Sequence, residues 1–332
     1  MAGLPLRLGP GGFRLVLALV VVGSHLTAFG LGRPAVMLFF MLSGYWVPRM
    51  YEQKYRPAVP VWLFYASRLL RVWLPFVVAF LAVFALYWLT GDPKPVLVLW
   101  GMTLLGLAST HRDVLGTAWS LDIEVQFYLM VPVIWAVLAA PLPKRALIWA
   151  LCGVAGLTVL GWLLQMSFGL WSVLAYLPPF VVGTLIWLMK PQMRLGGAMA
   201  SLGVFSLAGL VVLAIPHLRP FLIYHAPVPF DLDWFGMAWV LLLTPFVIWN
   251  LQQKSSALDM HFGNFSYALY ITHWPVIAYL QPVLAPVGLK DKLMIVTVIA
   301  VVSVSFYLGV DRQCERLRRR LILRWSGQKL SG

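Results

Sequence analysis

A few ionisable side chains stand inside or beside long apolar runs of this sequence, and they are the ones equipped for chemistry. Arg14 and His25 share the first run, Asp122 and Glu124 the fourth, and His273 the ninth, while Arg68 and Arg71 open the third. Charge in hydrocarbon is costly, so each needs a reason. Arg14 and His25 are eleven residues apart. At about 100° per residue this is about 20° beyond three turns, with a rise of about 16 Å. One helix face thus carries a cation near one membrane edge and an imidazole deeper in. Glu124 enters from the other edge and lies about 9 Å below it, while His25 is about 18 Å up a core of about 30 Å. A histidine and a glutamate at similar depth suit a base and the partner that orients it or offsets its charge. Asp122 cannot share the Glu124 face and is expected at the interface. Arg68 and Arg71 are three apart and share a face. With Arg14 they form a candidate anion site suited to phosphates. His273 precedes Trp274 and Pro275, and the proline is expected to free a carbonyl and kink its helix. Each group also has a purely structural alternative: a packing histidine, an ion pair locking two helices, or the ordinary basic excess at a cytoplasmic edge. Cys152 and Cys314 lie far apart, so neither a disulfide framework nor a metal site follows.

Elements must hold these groups in place. The 332 residues are 61% hydrophobic and 11% charged, against about 25% charged in soluble domains. That balance excludes a water-soluble fold. The expectation is an all-α integral membrane protein of about ten transmembrane helices. The candidate spans are 13–30, 34–50, 72–90, 118–140, 146–167, 170–189, 197–217, 234–251, 264–286 and 292–311. The second, which includes FFMLSG, reads as bent or partly re-entrant, and 95–109 as an interfacial or re-entrant helix. Arg7 before the first run imitates a signal peptide, but no small-x-small site follows, and the run reads as a retained helix. Ten spans put both termini on one side. That side holds 19 of the 25 lysines and arginines, and only Arg33, Lys94, Arg112, Arg219, Lys290 and Lys292 face the other. The positive-inside rule therefore places both termini in the cytoplasm, in a multi-pass protein of the inner (plasma) membrane. The opposite loop 216–233 holds His217, His225, Asp231 and Asp233. Residues 1–311 form the transmembrane domain and 312–332 a basic cytoplasmic tail. There Leu317, Leu321 and Trp325 recur at four-residue intervals among arginines, as in an amphipathic helix on the inner leaflet. The net charge of +14, so distributed, suits anionic lipid head groups rather than nucleic acid.

Five strings in order carry a family resemblance: FRLVLALVVVGSH with Arg14 and His25, AVMLFFMLSGYWV, FYASRLLRVWLPF with Arg68 and Arg71, WSLDIEVQFYLMVP with Glu124, and NFSYALYITHWPVI with His273. The chain resembles the acyltransferase family 3 membrane proteins. Ala35, Ser67 and Val125 depart from the pattern, standing in place of a glycine, the first of two arginines and the second of two glutamates.

The resemblance implies transfer of an acyl group, chiefly acetyl, from cytoplasmic acyl-CoA to a hydroxyl of a sugar or glycoconjugate of the cell envelope, such as a surface polysaccharide. Arg14, Arg68 and Arg71 are then expected to hold the CoA phosphates, His25 to act as general base, and Glu124 to orient it or offset its charge. Attack on the thioester makes an oxyanion, for which Trp119, Ser120 and Tyr270 are candidate donors, with His273 in support. A covalent acyl-histidine is an alternative to direct transfer. No metal is expected. The rival expectations are a transporter or flippase of lipid-linked sugars or small solutes, whose buried charges would serve passage, and a scaffold with inert charges.

Overall fold

The computed structural model describes residues 8–91, 101–110, 113–138, 144–223, 232–284 and 288–327. Arg7, Lys94, Arg112, His225, Asp231 and Lys329 lie outside them, as do residues 92–100 of the stretch read as interfacial. The described chain is helical, and its one β pairing is an isolated bridge between Phe29 and Ile223. The helices are α1 (Pro10–Leu26), α2 (Gly32–Met50), α3 (Val61–Leu89), α4 (Ala118–Leu138), α5 (Lys144–Phe168), α6 (Leu177–Met189), α7 (Leu195–Ala214), α8 (Leu232–Leu241), α9 (Thr244–Leu251), α10 (Ala257–Leu284), α11 (Leu289–Phe306) and α12 (Arg312–Trp325).

Each of the ten apolar stretches is occupied by helix. By length and composition alone, α3, the Ile148–Phe168 part of α5, α7 and the run Leu289–Trp325 can each cross a membrane. The α8–α9 pair qualifies as one bent unit, broken by 59°. The remaining stretches carry the arginines, acids and histidines of the site or are shorter. The stretch at 34–50 lies within one continuous helix, α2, and α10 continues as helix through Pro275 and Pro282. A proline removes one donor from the ladder, and packing on neighbouring helices compensates.

Small residues set how closely the helices approach. α2 lies along α6 with Gly44 and Gly183 facing each other. A Cβ on Gly44 would strike the Phe180 carbonyl, and one on Gly183 the Met41 carbonyl. α1 lies along α10. The Gly11 and Gly12 amides donate to Asp259 at 3.0 and 2.7 Å, and one helix-length on, His25 meets His273 and Trp274. The two helices therefore run parallel and in register.

The tail helix is a continuation of the last span. Tyr307–Asp311 form a π-turn that joins α11 to α12 in one 37-residue run. At about 1.5 Å per residue the run is about 56 Å long, well beyond a hydrocarbon core of about 30 Å. α12 packs on the start of α3, with Trp325 against Trp62 at 5.9 Å between ring centroids.

Candidate active site

Between α1, α2, α3, α4 and α10 lies a cavity of about 460 Å³. Arg14, Arg68, Arg71, Glu124, Ser120 and Tyr270 all line it, and Arg319 of α12 stands at its mouth. Four of these helices thus bring together six residues singled out in the sequence. Arginines mark one end of the cavity, and Ser120 with Tyr270 the other.

The three expected arginines are not equivalent. Among the described residues Arg14 forms no hydrogen bond or ion pair. Its guanidinium lies over the Trp46 ring at 5.9 Å, and Glu124, on the wall of the same cavity, is the acid whose charge acts on it. The buried Nε of Arg68 has no hydrogen-bond partner among the described residues. Arg71, by contrast, is already neutralised: it donates to Asp311 at 2.9 Å and to Asn264 at 3.4 Å, with Glu315 at 4.0 Å. Of these three, Arg14 and Arg68 are therefore the ones without a carboxylate partner among the described residues, and Arg71 is held as part of the wall. Ser67 is fully buried, bonds the Tyr55 hydroxyl at 2.6 Å, and receives the guanidinium of Arg318 from α12. Where the resembled pattern has an arginine in α3, this chain thus brings one in from the tail.

Glu124 accepts hydrogen bonds from Ser43 at 2.6 Å and Tyr128 at 2.7 Å. No hydrogen bond or ion pair joins it to His25, so the expected pairing of those two residues is not formed. His25 instead packs between Trp274 (4.6 Å between centroids) and His273 (5.4 Å). His273 is fully buried. Its Nδ1 lies 3.1 Å from the Leu269 carbonyl, and its Nε2 has no partner among the described residues. Tyr270 lines the cavity, shares a 2.6 Å hydrogen bond with Ser120, and stands 5.9 Å from His273. The cavity wall therefore runs from the arginines past Glu124 to the Ser120–Tyr270 pair; His273 packs behind Tyr270 and His25 behind His273, and neither histidine lines the cavity.

The turn before α4 sets this far end. Asp113 accepts the Leu115 and Trp119 amides at 2.9 and 3.1 Å. Gly116 takes φ +67, and a Cβ there would enter the Trp274 ring. A glycine is needed on both counts. Trp119 points away from the cavity. Its ring meets Phe40, Trp171 and Tyr176, and the Arg33 guanidinium lies 4.6 Å over it. Arg33 is ion-paired to Asp233 at 2.8 Å. Asp122, expected at an interface, is buried and accepts the Ala108 amide and the Gln126 side chain, both at 2.9 Å. Residues the sequence reading missed are Asp259, which holds the start of α1, and Asp311 and Glu315, which engage Arg71. No group of three or more potential metal ligands occurs among the described residues.

No curated protein and no solved structure matches this chain. The family model of an acyltransferase domain matches residues 8–310, which include every residue of the cavity except Arg319. With that match over nearly the whole chain, the protein belongs to acyltransferase family 3.

Proposed function

We propose that this protein transfers an acyl group, acetyl in the first instance, from acyl-CoA to a hydroxyl of a sugar or glycoconjugate at the membrane. The observation that carries this reading is the layout of the cavity: guanidinium groups without a carboxylate partner among the described residues at one end, and the Ser120–Tyr270 pair at the other, with the His273–His25 pair packed behind Tyr270. Arg14 and Arg68 suit the donor's phosphates, since a charge-assisted bond to a guanidinium is among the strongest available. The arginine-rich end is the cytoplasmic one in this reading, and the pantetheine arm follows α1 toward His25.

His25 takes the proton of the acceptor hydroxyl as its oxygen attacks the thioester carbonyl. The carbonyl oxygen becomes an oxyanion, and the Ser120 and Tyr270 hydroxyls are the donors nearest the path. Collapse breaks the C–S bond, and the imidazolium returns its proton to the leaving thiolate. His273, buried against His25, fixes its ring. Glu124 acts at the arginine end, offsetting the charge of Arg14. Among the described residues one helix pair, α8–α9, is broken, whereas alternating transport uses paired discontinuous helices.

The test is incubation of purified protein with labelled acetyl-CoA and a panel of glycans. Label should appear on one acceptor with wild type and be lost with His25→Ala, while CoA binding is retained. Acyl transfer undiminished in His25→Ala overturns the assignment. Movement of a glycan across the membrane without consumption of acyl-CoA would replace it by transport.

A further inference from the structure

The tail helix α12 starts after the last family-matched residue, yet it reaches the cavity. It is pinned at three points. Asp311, at its start, holds Arg71 at 2.9 Å. Arg318 donates to Ser67 and, at 2.7 Å, to Glu315. Trp325 lies on Trp62. The same Glu315 carboxylate accepts Arg319 Nε at 2.7 Å. The division of labour is visible in exposure: the Arg318 side chain is 12% exposed and Arg319 71%. Arg318 is the anchor. Arg319 is held by one nitrogen, and its two terminal amino groups have no partner among the described residues. A guanidinium offers five donors, so most of the Arg319 fork remains available at the mouth of the cavity.

We infer that α12 is part of the donor site, and that Arg319 receives the phosphate monoester at the nucleotide end of the donor while Arg14 and Arg68 take phosphates deeper in. This rests on the acyl-CoA reading above. The chemistry favours the division. A phosphate monoester carries up to two charges and three acceptor oxygens, and an exposed, positioned fork can engage it bidentately without desolvating a second buried cation. A packing role would not require an arginine at a position so exposed. An anionic lipid head group offers the same phosphate chemistry, so the experiment must separate the two sources.

Binding of CoA and of dephospho-CoA, which lacks only the ribose phosphate, is measured by calorimetry on full-length protein in nanodiscs. Wild type and Arg319→Ala are compared, in phosphatidylcholine alone and with phosphatidylglycerol added. Wild type should prefer CoA by about tenfold, the scale of one charge-assisted bond. Arg319→Ala should bind dephospho-CoA as wild type does and lose the preference, in both lipid compositions. Retained affinity for dephospho-CoA shows that the variant is folded. An unchanged preference in Arg319→Ala overturns the inference while leaving the acyl-CoA reading intact. So does a difference between wild type and variant that appears only with phosphatidylglycerol, which would assign Arg319 to lipid head groups. Wild type that binds neither ligand would overturn both.

Discussion

Asp259 decides where α1 sits, and with it Arg14 and His25. It is buried, and it accepts the Gly11 and Gly12 amides at 3.0 and 2.7 Å and the Ser255 hydroxyl at 2.6 Å. Those amides belong to a first helical turn, whose donors have no partner within the helix. Asp259→Ala orphans both. A buried donor left unpaired costs about 1–3 kcal/mol. Both Gly11 and Asp259 line the cavity, so entering water reduces the loss, and the lower part of the range applies. The expected total is about 2–3 kcal/mol, on the scale of a strong helix cap and its neighbour. Asp259→Asn keeps one acceptor oxygen and turns an amino group toward the other amide, so it should cost about half as much. Thermal unfolding in a single detergent, together with saturation kinetics in the acyl donor, measures both consequences. Asp259→Ala should lower Tm by roughly 5 °C. It should also raise the donor KM about tenfold, because Arg14 is two residues beyond the released turn. Asn250 donates to the Leu8 carbonyl at 2.8 Å and keeps the preceding segment attached, so global unfolding is not expected. Wild-type Tm and KM in Asp259→Ala would refute the reasoning and leave α1 held by apolar packing on α10 alone.

Arg14→Ala should weaken CoA binding by about ten- to a hundredfold, since it removes a guanidinium that no carboxylate holds. Calorimetry on the purified protein checks this. Gly116→Ala combines a left-handed backbone with a collision against Trp274. It should lower kcat at least tenfold through displacement of the ring that packs on His25, with the CoA Kd unchanged. Burial raises the Glu315 pKa, but the hydrogen bonds from Arg318 and Arg319 outweigh it and hold the carboxyl down at about 2, below its ordinary 4.5. A depressed acid stabilises above its unfolded value and loses that contribution as pH falls toward its folded one. The docked α12 should therefore resist pepsin at pH near 4.5 and become susceptible as pH approaches 2. Glu315→Gln should be cut across the whole of that range, as read by mass spectrometry of the C-terminal fragments.

What was legible in the sequence follows from local periodicity. The ten helical stretches and the grouping of Arg14 with Arg68 depend on helix geometry and on the cost of placing charge in hydrocarbon, whereas Ser120 and Tyr270 entered only through the family resemblance. The errors lie where the answer depends on residues remote in sequence. Arg71 looked like a free phosphate ligand because Asp311 is 240 residues away. Similar depth suggested that Glu124 and His25 meet, but depth says nothing about which helix faces which, and Ser43 and Tyr128 claim the carboxylate instead. Trp119 stood beside Ser120 and Tyr270 as a candidate donor, but neighbours on a helix point about 100° apart, and its ring packs on Phe40, Trp171 and Tyr176 instead. One signal was available for the missed acids. The chain has only 11 acidic residues against 25 basic ones, and an acid beside an apolar run must be answered by a cation or by backbone amides. Asking that question of Asp259 and Asp311 leads to the start of α1 and to Arg71. The same reasoning explains the asymmetry among the arginines. Arg71 and Arg318 each have a carboxylate and hold helices together, while Arg14 and Arg68 have none within hydrogen-bonding reach. Two guanidinium groups that line a cavity with no carboxylate bonded to them are the groups the proposed phosphate-bearing donor would engage, with Glu124 offsetting Arg14 in its absence.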